Sequence, residues 1–295
     1  MKTPYRLAIP ALAPIFLLGA DLTIDHVTAA GARLADLQEK LAAAGIRSEP
    51  GGAHGNRATE MAIVSFRDGS YLELIARQAN ADPQAVAAHP WGEFIELNGG
   101  PCAWAVRAPD LETAAKRLRA AGVAVSPPER AGRQRPDGKR LEWQTAQVGD
   151  GVRGSFFPFL IQDFTPRGDR VNPRGKPAAP QFSGVTKVVI AVRDLEEAVK
   201  KYREAYGYPA PLKQVDKDFD AHLAMLGGGP VVLAAPLSSH SWLAERLEKF
   251  GEAPCAFVLG AGKRGRYRTA SKSRWFGKDV NWIDPEKLGW RLGIE

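Results

Sequence analysis

Cysteine is scarce in this sequence: two residues in 295, Cys102 and Cys255. That excludes a disulfide framework and a thiolate-built metal cluster. Histidine is also rare, at five residues, so any site built on imidazole draws on a short roster. Long apolar runs are missing after residue 20, and nothing beyond that point reads as a membrane span, which takes about 20 apolar residues. Phosphate-loop and nucleophile-elbow patterns are absent as well. Gly227-Gly228-Gly229-Pro230 has no Lys-Ser/Thr behind it and reads as a turn, and Ser238-Ser239-His240 has no elbow around it. Between residues 262 and 278 there is no acid, against seven lysines and arginines.

What is present is an ordinary globular composition, 44% hydrophobic and 25% charged, with a net charge of +7 and room for two domains. The basic excess is concentrated in Lys263, Arg264, Arg266, Arg268, Lys272, Arg274 and Lys278, with Tyr267, Trp275 and Phe276 between them. Aromatics among cations suit base stacking, so nucleic acid is a candidate partner. A solvated loop on a basic protein is the favoured reading. Residues 1–20 begin with Lys2 and Arg6 and continue as an uncharged apolar run ending Leu18-Gly19-Ala20. This pattern predicts a signal peptide cut before Asp21 and export to the periplasm or beyond; the alternative is a cytoplasmic chain with an apolar first element.

Two short stretches, Thr23-Ile24-Asp25-His26-Val27 and Tyr71-Leu72-Glu73-Leu74-Ile75, read as strands. Strand alternation puts His26 on one face with Ile24 and Thr28, and Glu73 with Tyr71 and Ile75. If both strands line one curved sheet, an imidazole and a carboxylate converge. A helical run over 34–45 follows the first strand, then a Gly-rich loop, then strands over 61–66 and 71–76 joined at Asp68-Gly69.

The chain also repeats itself. Pro101-Cys102-Ala103-Trp104-Ala105-Val106 and Pro254-Cys255-Ala256-Phe257-Val258-Leu259 are nearly one phrase, 153 residues apart. Their cysteines read as equivalent core positions in two copies. Val106-Arg107-Ala108-Pro109-Asp110-Leu111-Glu112 is echoed by Ala191-Val192-Arg193-Asp194-Leu195-Glu196, each leading into a helical pattern that ends at glycine. Units opening with a strand therefore begin near residues 23, 101, 185 and 254. Four prolines over 166–180 and no periodicity read as a linker. The expected layout is a first domain over 21–165, a linker over 166–184 and a second, degenerate domain over 185–295.

With Asp25-His26-Val27, the loop Gly51-Gly52-Ala53-His54-Gly55-Asn56-Arg57-Ala58-Thr59, the strand over 71–76 and His89-Pro90-Trp91, the β-α-β-β order resembles glyoxalase-like domains of the vicinal oxygen chelate superfamily. The resemblance implies an α+β fold: tandem βαβββ modules forming two cupped mixed sheets with helices outside. It also implies a divalent metal, of open identity and weakly held, gripped by one residue on the first and one on the last strand of each module. Carried over by position, the ligands are His26, Glu73 and, on the strand over 159–163, Gln162. Four of the remaining positions hold Ala103, Lys187, Ala256 and Gly293, none of which suits a cation, and the third module's closing strand over 231–235 has no donor, so the second domain is expected to have lost its site.

Glu73 is the candidate catalytic base. His54, Arg57 and Trp104 are the candidate substrate-binding residues, with Trp91 and Trp143 as further aromatic walls. The implied chemistry is metal-assisted, of lyase, isomerase or dioxygenase type, on a small oxygen-rich substrate. The alternative is a non-catalytic small-molecule binder using the same cup. Whether the chain is an enzyme, and whether it forms a homodimer, both stay open at this point.

Overall fold

Apolar, β-branched runs punctuated by glycine and proline become the strands of the computed structural model, which describes residues 22–135, 137–261 and 267–295. In the first half these are β1 (Ile24–Ala30), β2 (Glu49–Ala53), β3 (Thr59–Ser65), β4 (Tyr71–Arg77), β5 (Gly100–Arg107), β6 (Glu129–Gln134), β7 (Arg140–Ala146) and β8 (Phe159–Asp163). They form one sheet in the order β2-β3-β4-β1-β5-β8-β7-β6. The second half repeats it with β9 (Phe182–Ala191), β10 (Leu212–Asp216), β11 (Ala221–Met225), β12 (Val231–Pro236), β13 (Pro254–Ala261), β14 (Ser271–Trp275), β15 (Lys278–Trp282) and β16 (Arg291–Ile294). Their order is β10-β11-β12-β9-β13-β16-β15-β14. In each sheet two antiparallel central strands are flanked by parallel partners, β4 beside β1 and β8 beside β5 in the first. The four expected module starts are thus found, as tandem cupped mixed sheets with helices packed outside.

The helices are α1 (Leu34–Ala43), α2 (Pro83–Ala87), α3 (Gly92–Glu96), α4 (Leu111–Ala120), α5 (Arg167–Val171), α6 (Leu195–Tyr206), α7 (Trp242–Phe250) and α8 (Pro285–Leu288). The repeated Asp-Leu-Glu phrase is explained by capping. Asp110 accepts from the Thr113 amide at the start of α4, and Asp194 from the Glu197 amide at the start of α6. Gly207 ends α6 at φ 70°, a conformation that costs glycine little.

One apolar core runs through both halves. It joins Leu41 of α1, Val27, Leu72, Trp104 and Leu118 of the first half to Val188, Tyr202, Phe257 and Trp290 of the second. Trp104 is therefore not a wall of the cup. It is fully buried on the helix-side face of β5, between the halves, because β5 alternates and its neighbours Ala103 and Ala105 take the cup side. Two strands of chain stitch the junction: the amide of Asp68 donates to Ser183, and that of Val185 to the Ser70 hydroxyl. Arg246 of α7 donates to the carbonyls of Gly99, Pro101 and Pro254, beside the stacked rings of Phe94 and Phe250.

Residues 1–20 and Lys263, Arg264 and Arg266 lie outside the described residues. In the described part of the basic stretch, Lys272 and Arg274 pair with Asp279, and Lys278 faces Glu295. Trp275 is buried, and Tyr267 and Phe276 are partly buried against the two cores. No helix among the described residues is long and apolar enough to cross a membrane.

The shared core makes Trp104→Ala a test of unity. Truncating a buried tryptophan costs roughly 3–5 kcal/mol, and denaturant unfolding should show one transition that moves as a whole. Two transitions with only one displaced would mean the halves unfold separately.

Candidate functional site

The first cup encloses a cavity of about 560 Å³. Its floor is β1, β4 and β8, and its rim is the loop at 54–56, the turn before α3 and the strand pair β6–β7. His26 and Glu73 both face it, as alternation from Tyr71 requires. One part of that reading is corrected. Ile24 does not share His26's face; it packs in the helix-side core. The register of β1 against β5 slips between Ile24 and His26, leaving Asp25 as a β-bulge. A bulge puts two successive side chains on the same side, and Asp25 lies beside His26.

That bulge builds a buried ion cluster. The Asp25 carboxylate, fully buried, accepts His26 Nδ1 at 2.7 Å and two guanidinium N–H bonds from Arg170 at 3.1 and 3.0 Å. Arg167 joins it from the same helix, α5. Arg170 is in turn held by Asp163 and by the Tyr71 hydroxyl at 2.8 Å. Burial works against ionising Asp25, but Arg170, the His26 bond and Arg167 outweigh it and hold the carboxyl far below its usual range. Because a carboxylate only accepts, His26 must carry a proton on Nδ1, and in the neutral ring its Nε2 lone pair is left facing the cavity. The ring is wedged between Tyr71, stacked at 4.8 Å, and Phe159, edge-on at 5.3 Å.

Glu73 lies beyond it. Its Oε2 accepts the Thr28 hydroxyl at 3.0 Å and stands 3.9 Å from His26 Nε2; its Oε1 stands 3.5 Å from His54 Nε2. His54 is fixed by Thr59, whose hydroxyl meets Nδ1 at 2.8 Å while its carbonyl accepts the His54 amide. Burial, only partly offset by Glu73, lowers the His54 pKa from 6.5 and favours the neutral ring. His89 at the rim is likewise lowered by burial, to about 4. Trp91 and Trp143 line the cavity as expected.

Three expected site residues do not come together with these. Arg57 adopts φ 56° and points outward, exposed and facing Asp82 at 3.7 Å. Trp104 is in the shared core. Gln162 is on the wrong face: its amide donates to Pro109 and accepts from Leu111 and Gln144. The register explains why. Ala105 pairs with His26 on one side and Phe159 on the other, while Ala103 pairs with Thr28, itself the partner of Glu73, so the pseudo-twofold of the sheet matches Ala103 to His26 and Phe159 to Glu73. Gln162 is an odd number of residues from Phe159 and so faces away.

Two of the four ligand positions are therefore apolar, and one oxygen of Glu73 already accepts the Thr28 hydroxyl. Among the described residues no group of three or more His, Cys, Asp or Glu is arranged to hold a metal ion. The donor set does not fit a tightly held divalent cation. In the second sheet Lys187 pairs with Val258 where His26 pairs with Ala105, and Val232 takes the place of Glu73. Lys187 is neutralised by both oxygens of Glu295 at 2.8 Å. That cup is filled by Phe219, Trp275 and Trp282 with α7 laid over it.

Sequence reasoning missed Asp25, Arg133, Arg153, Arg167 and Arg170. One signal was available: an acid inside an apolar strand needs a buried cation, and Arg167 and Arg170 stand in the stretch that its prolines make look like a linker.

Asp25→Asn should cost about 3–5 kcal/mol of stability, since it strands the buried Arg170 charge. The native contribution of Asp25 is full above its ordinary pKa of 3.8 and is lost as pH falls below it, so the variant's stability should vary less with acid below about pH 4. A separate loss comes earlier. His89, depressed from 6.5 to about 4, contributes stability above 6.5 that declines as pH falls through that window; His89→Gln should flatten the slope there in equilibrium unfolding. An unchanged slope would mean His89 stays as accessible to protons as in the unfolded chain.

No curated protein matches the chain. Among solved structures, a hypothetical protein from Staphylococcus aureus superposes with a TM-score of 0.63 at 15% identity, over 93% of this chain and 99% of that one. A mutant of 4-hydroxymandelate synthase from Streptomyces coelicolor superposes with a TM-score of 0.58 at 13% identity, over 93% and 92%. At such identities the likeness shows the tandem-cup fold alone. The glyoxalase-like domain profile matches residues 24–206, which takes in the whole first sheet, the clamp helix α5 and the opening of the second sheet. The chain belongs to the glyoxalase-like domain family of the vicinal oxygen chelate superfamily.

Proposed function

We propose that the protein is an enzyme of the isomerase or lyase kind that moves a proton at carbon beside a carbonyl in a small, oxygen-rich substrate. Glu73 is its base, and it works without a tightly bound metal. One observation carries the reading: the Glu73 carboxylate stands in a largely apolar cup with one oxygen 3.5 Å from His54 Nε2 and the other 3.9 Å from His26 Nε2. A carboxylate exposed to a cavity and flanked by imidazoles held in fixed orientations can take a proton from carbon and return it at another position. His26 and His54 are placed to steady the acid form of Glu73 or to relay its proton.

A purely binding role is the second reading. Its support is the Thr28 hydroxyl, which already occupies one Glu73 oxygen.

Incubation in D2O with small carbonyl acids, followed by NMR, separates the two. The enzyme should speed deuterium entry next to the carbonyl, Glu73→Gln should slow it roughly 100- to 10,000-fold, and exhaustive chelation should leave it unchanged. Protein purified without chelator should carry far less than one equivalent of divalent metal. Loss of exchange on chelation, with stoichiometric metal in the untreated protein, would sink the metal-free reading. Binding without any exchange would favour the second one.

A further inference from the structure

The family's cup uses a cation to hold vicinal oxygens, and here the two vacated ligand positions support a different cation. Phe159 lies under the guanidinium of Arg153, whose central carbon is 4.5 Å from the ring centroid. Ala103 lies beside Gly154, where an added Cβ would come within 3.0 Å of the Ala103 Cβ and 2.9 Å of Phe159. Gly154, at φ 68°, is thus required by close approach, and that approach lays the 153–154 backbone against the floor of the cup. The backbone is pinned on both sides. The Trp91 indole donates to the Arg153 carbonyl at 2.8 Å, and the Trp104 amide to the Gly154 carbonyl at 3.0 Å.

The other arginines of the cavity are committed to protein. Arg170 is bound by Asp25, Asp163 and Tyr71, and Arg133 donates to the carbonyls of Gly51 and Arg170. Arg153 differs. It lines the cavity, yet its guanidinium makes no hydrogen bond or ion pair with any described residue. Glu129 and Glu73 offset part of the cost of burying its charge without touching it.

We propose that Arg153 is the substrate-binding cation of this cup, standing in for the absent metal, and that the substrate class is 2-oxo carboxylates. A planar guanidinium presents parallel N–H donors that match two adjacent oxygens, a carboxylate oxygen and the neighbouring carbonyl oxygen. This deepens the reading of Glu73 as a base and rests on it for the chemistry, though not for binding. With the acid so held, the C–H electron pair next to the carbonyl shifts into the carbon–carbon bond, the carbonyl π pair moves onto oxygen, and the proton goes to Glu73. The enolate oxygen then lies against the guanidinium, and return of the proton closes the cycle with no other reactant.

Pyruvate and phenylpyruvate are the probes, with pyruvamide as the uncharged control. Binding is read by ligand-observed NMR and by fluorescence of the cavity-lining Trp91 and Trp143, and exchange by deuterium entry. The wild type should bind both acids in preference to the amide. Arg153→Gln should weaken the acids about tenfold or more, the worth of a charge-assisted pair, and the amide, which offers the same two oxygens without the charge, by much less. Arg153→Lys should restore part of the affinity and less of the exchange, since it keeps the charge and loses the fork. Glu73→Gln should keep binding and lose exchange. Equal affinity of wild type and Arg153→Gln for the acids, or no preference of wild type for acid over amide, overturns the proposal. Binding that depends on Arg153, without exchange in the wild type, overturns the base reading and leaves the assignment of Arg153 standing.

Discussion

The buried carboxylate of Asp25 is the constraint on which the first cup depends. An ion of that kind, fully buried, is tolerable only with partners of opposite charge and satisfied lone pairs. Its partners come from far along the chain: Arg167 and Arg170 sit on α5, after the first sheet is complete. The first domain therefore cannot finish its own floor from residues 21–165. It needs the start of the segment that leads to the second sheet. Such a cluster need not raise stability over a well-packed apolar one. What it supplies is direction, because the carboxylate that binds two arginines also fixes the His26 tautomer and turns Nε2 to the cavity.

The fold was legible in the sequence to a large extent. Strand-opening phrases around Cys102 and Cys255 marked equivalent β-strands, and the Asp-Leu-Glu echoes marked helix caps, because both are local signals written in neighbouring residues. The site was legible only where it too was local. His26 and Glu73 were found by alternation within single strands. Gln162 was misplaced because its face depends on the register of β8 against β5, which a three-residue offset reverses. Ile24 was misplaced because the bulge at Asp25 is a property of strand pairing rather than of composition. Arg57 was assigned by its place beside His54 in the Gly-rich loop and Trp104 as an aromatic wall, and each is set by something else, a left-handed backbone in one case and a sheet face in the other.

The arginines were invisible for a further reason. A cation that pairs across 145 residues with a buried acid leaves no periodic trace. Arg167 and Arg170 fall in the stretch read as a linker, and Arg153, between Gly151 and Gly154, belongs to no motif in the sequence. Their common setting is a cavity that has lost two of four expected ligands, replaced by an alanine and a phenylalanine. An apolar replacement at a ligand position removes the metal's grip, and it also opens a flat, dry surface. Phe159 uses that surface to seat a guanidinium.

The two halves show the same loss resolved in opposite ways. In the second sheet the position of His26 is Lys187, neutralised at once by Glu295, and aromatic rings occupy the space where a ligand would sit. That cup has become core, and its contribution is to the apolar mass shared with the first half. In the first sheet the ionisable groups were kept and oriented, the cavity stayed open, and Arg153 within it has no hydrogen-bond or ion-pair partner among the described residues. A filled cup spends its interior on packing, so only the open one retains polar groups whose hydrogen-bonding capacity protein does not exhaust. Buried polar groups without a protein partner are costly unless something else satisfies them. In this chain that asymmetry, more than the overall fold, distinguishes the half with an open, polar-lined cup from the half whose cup is packed core.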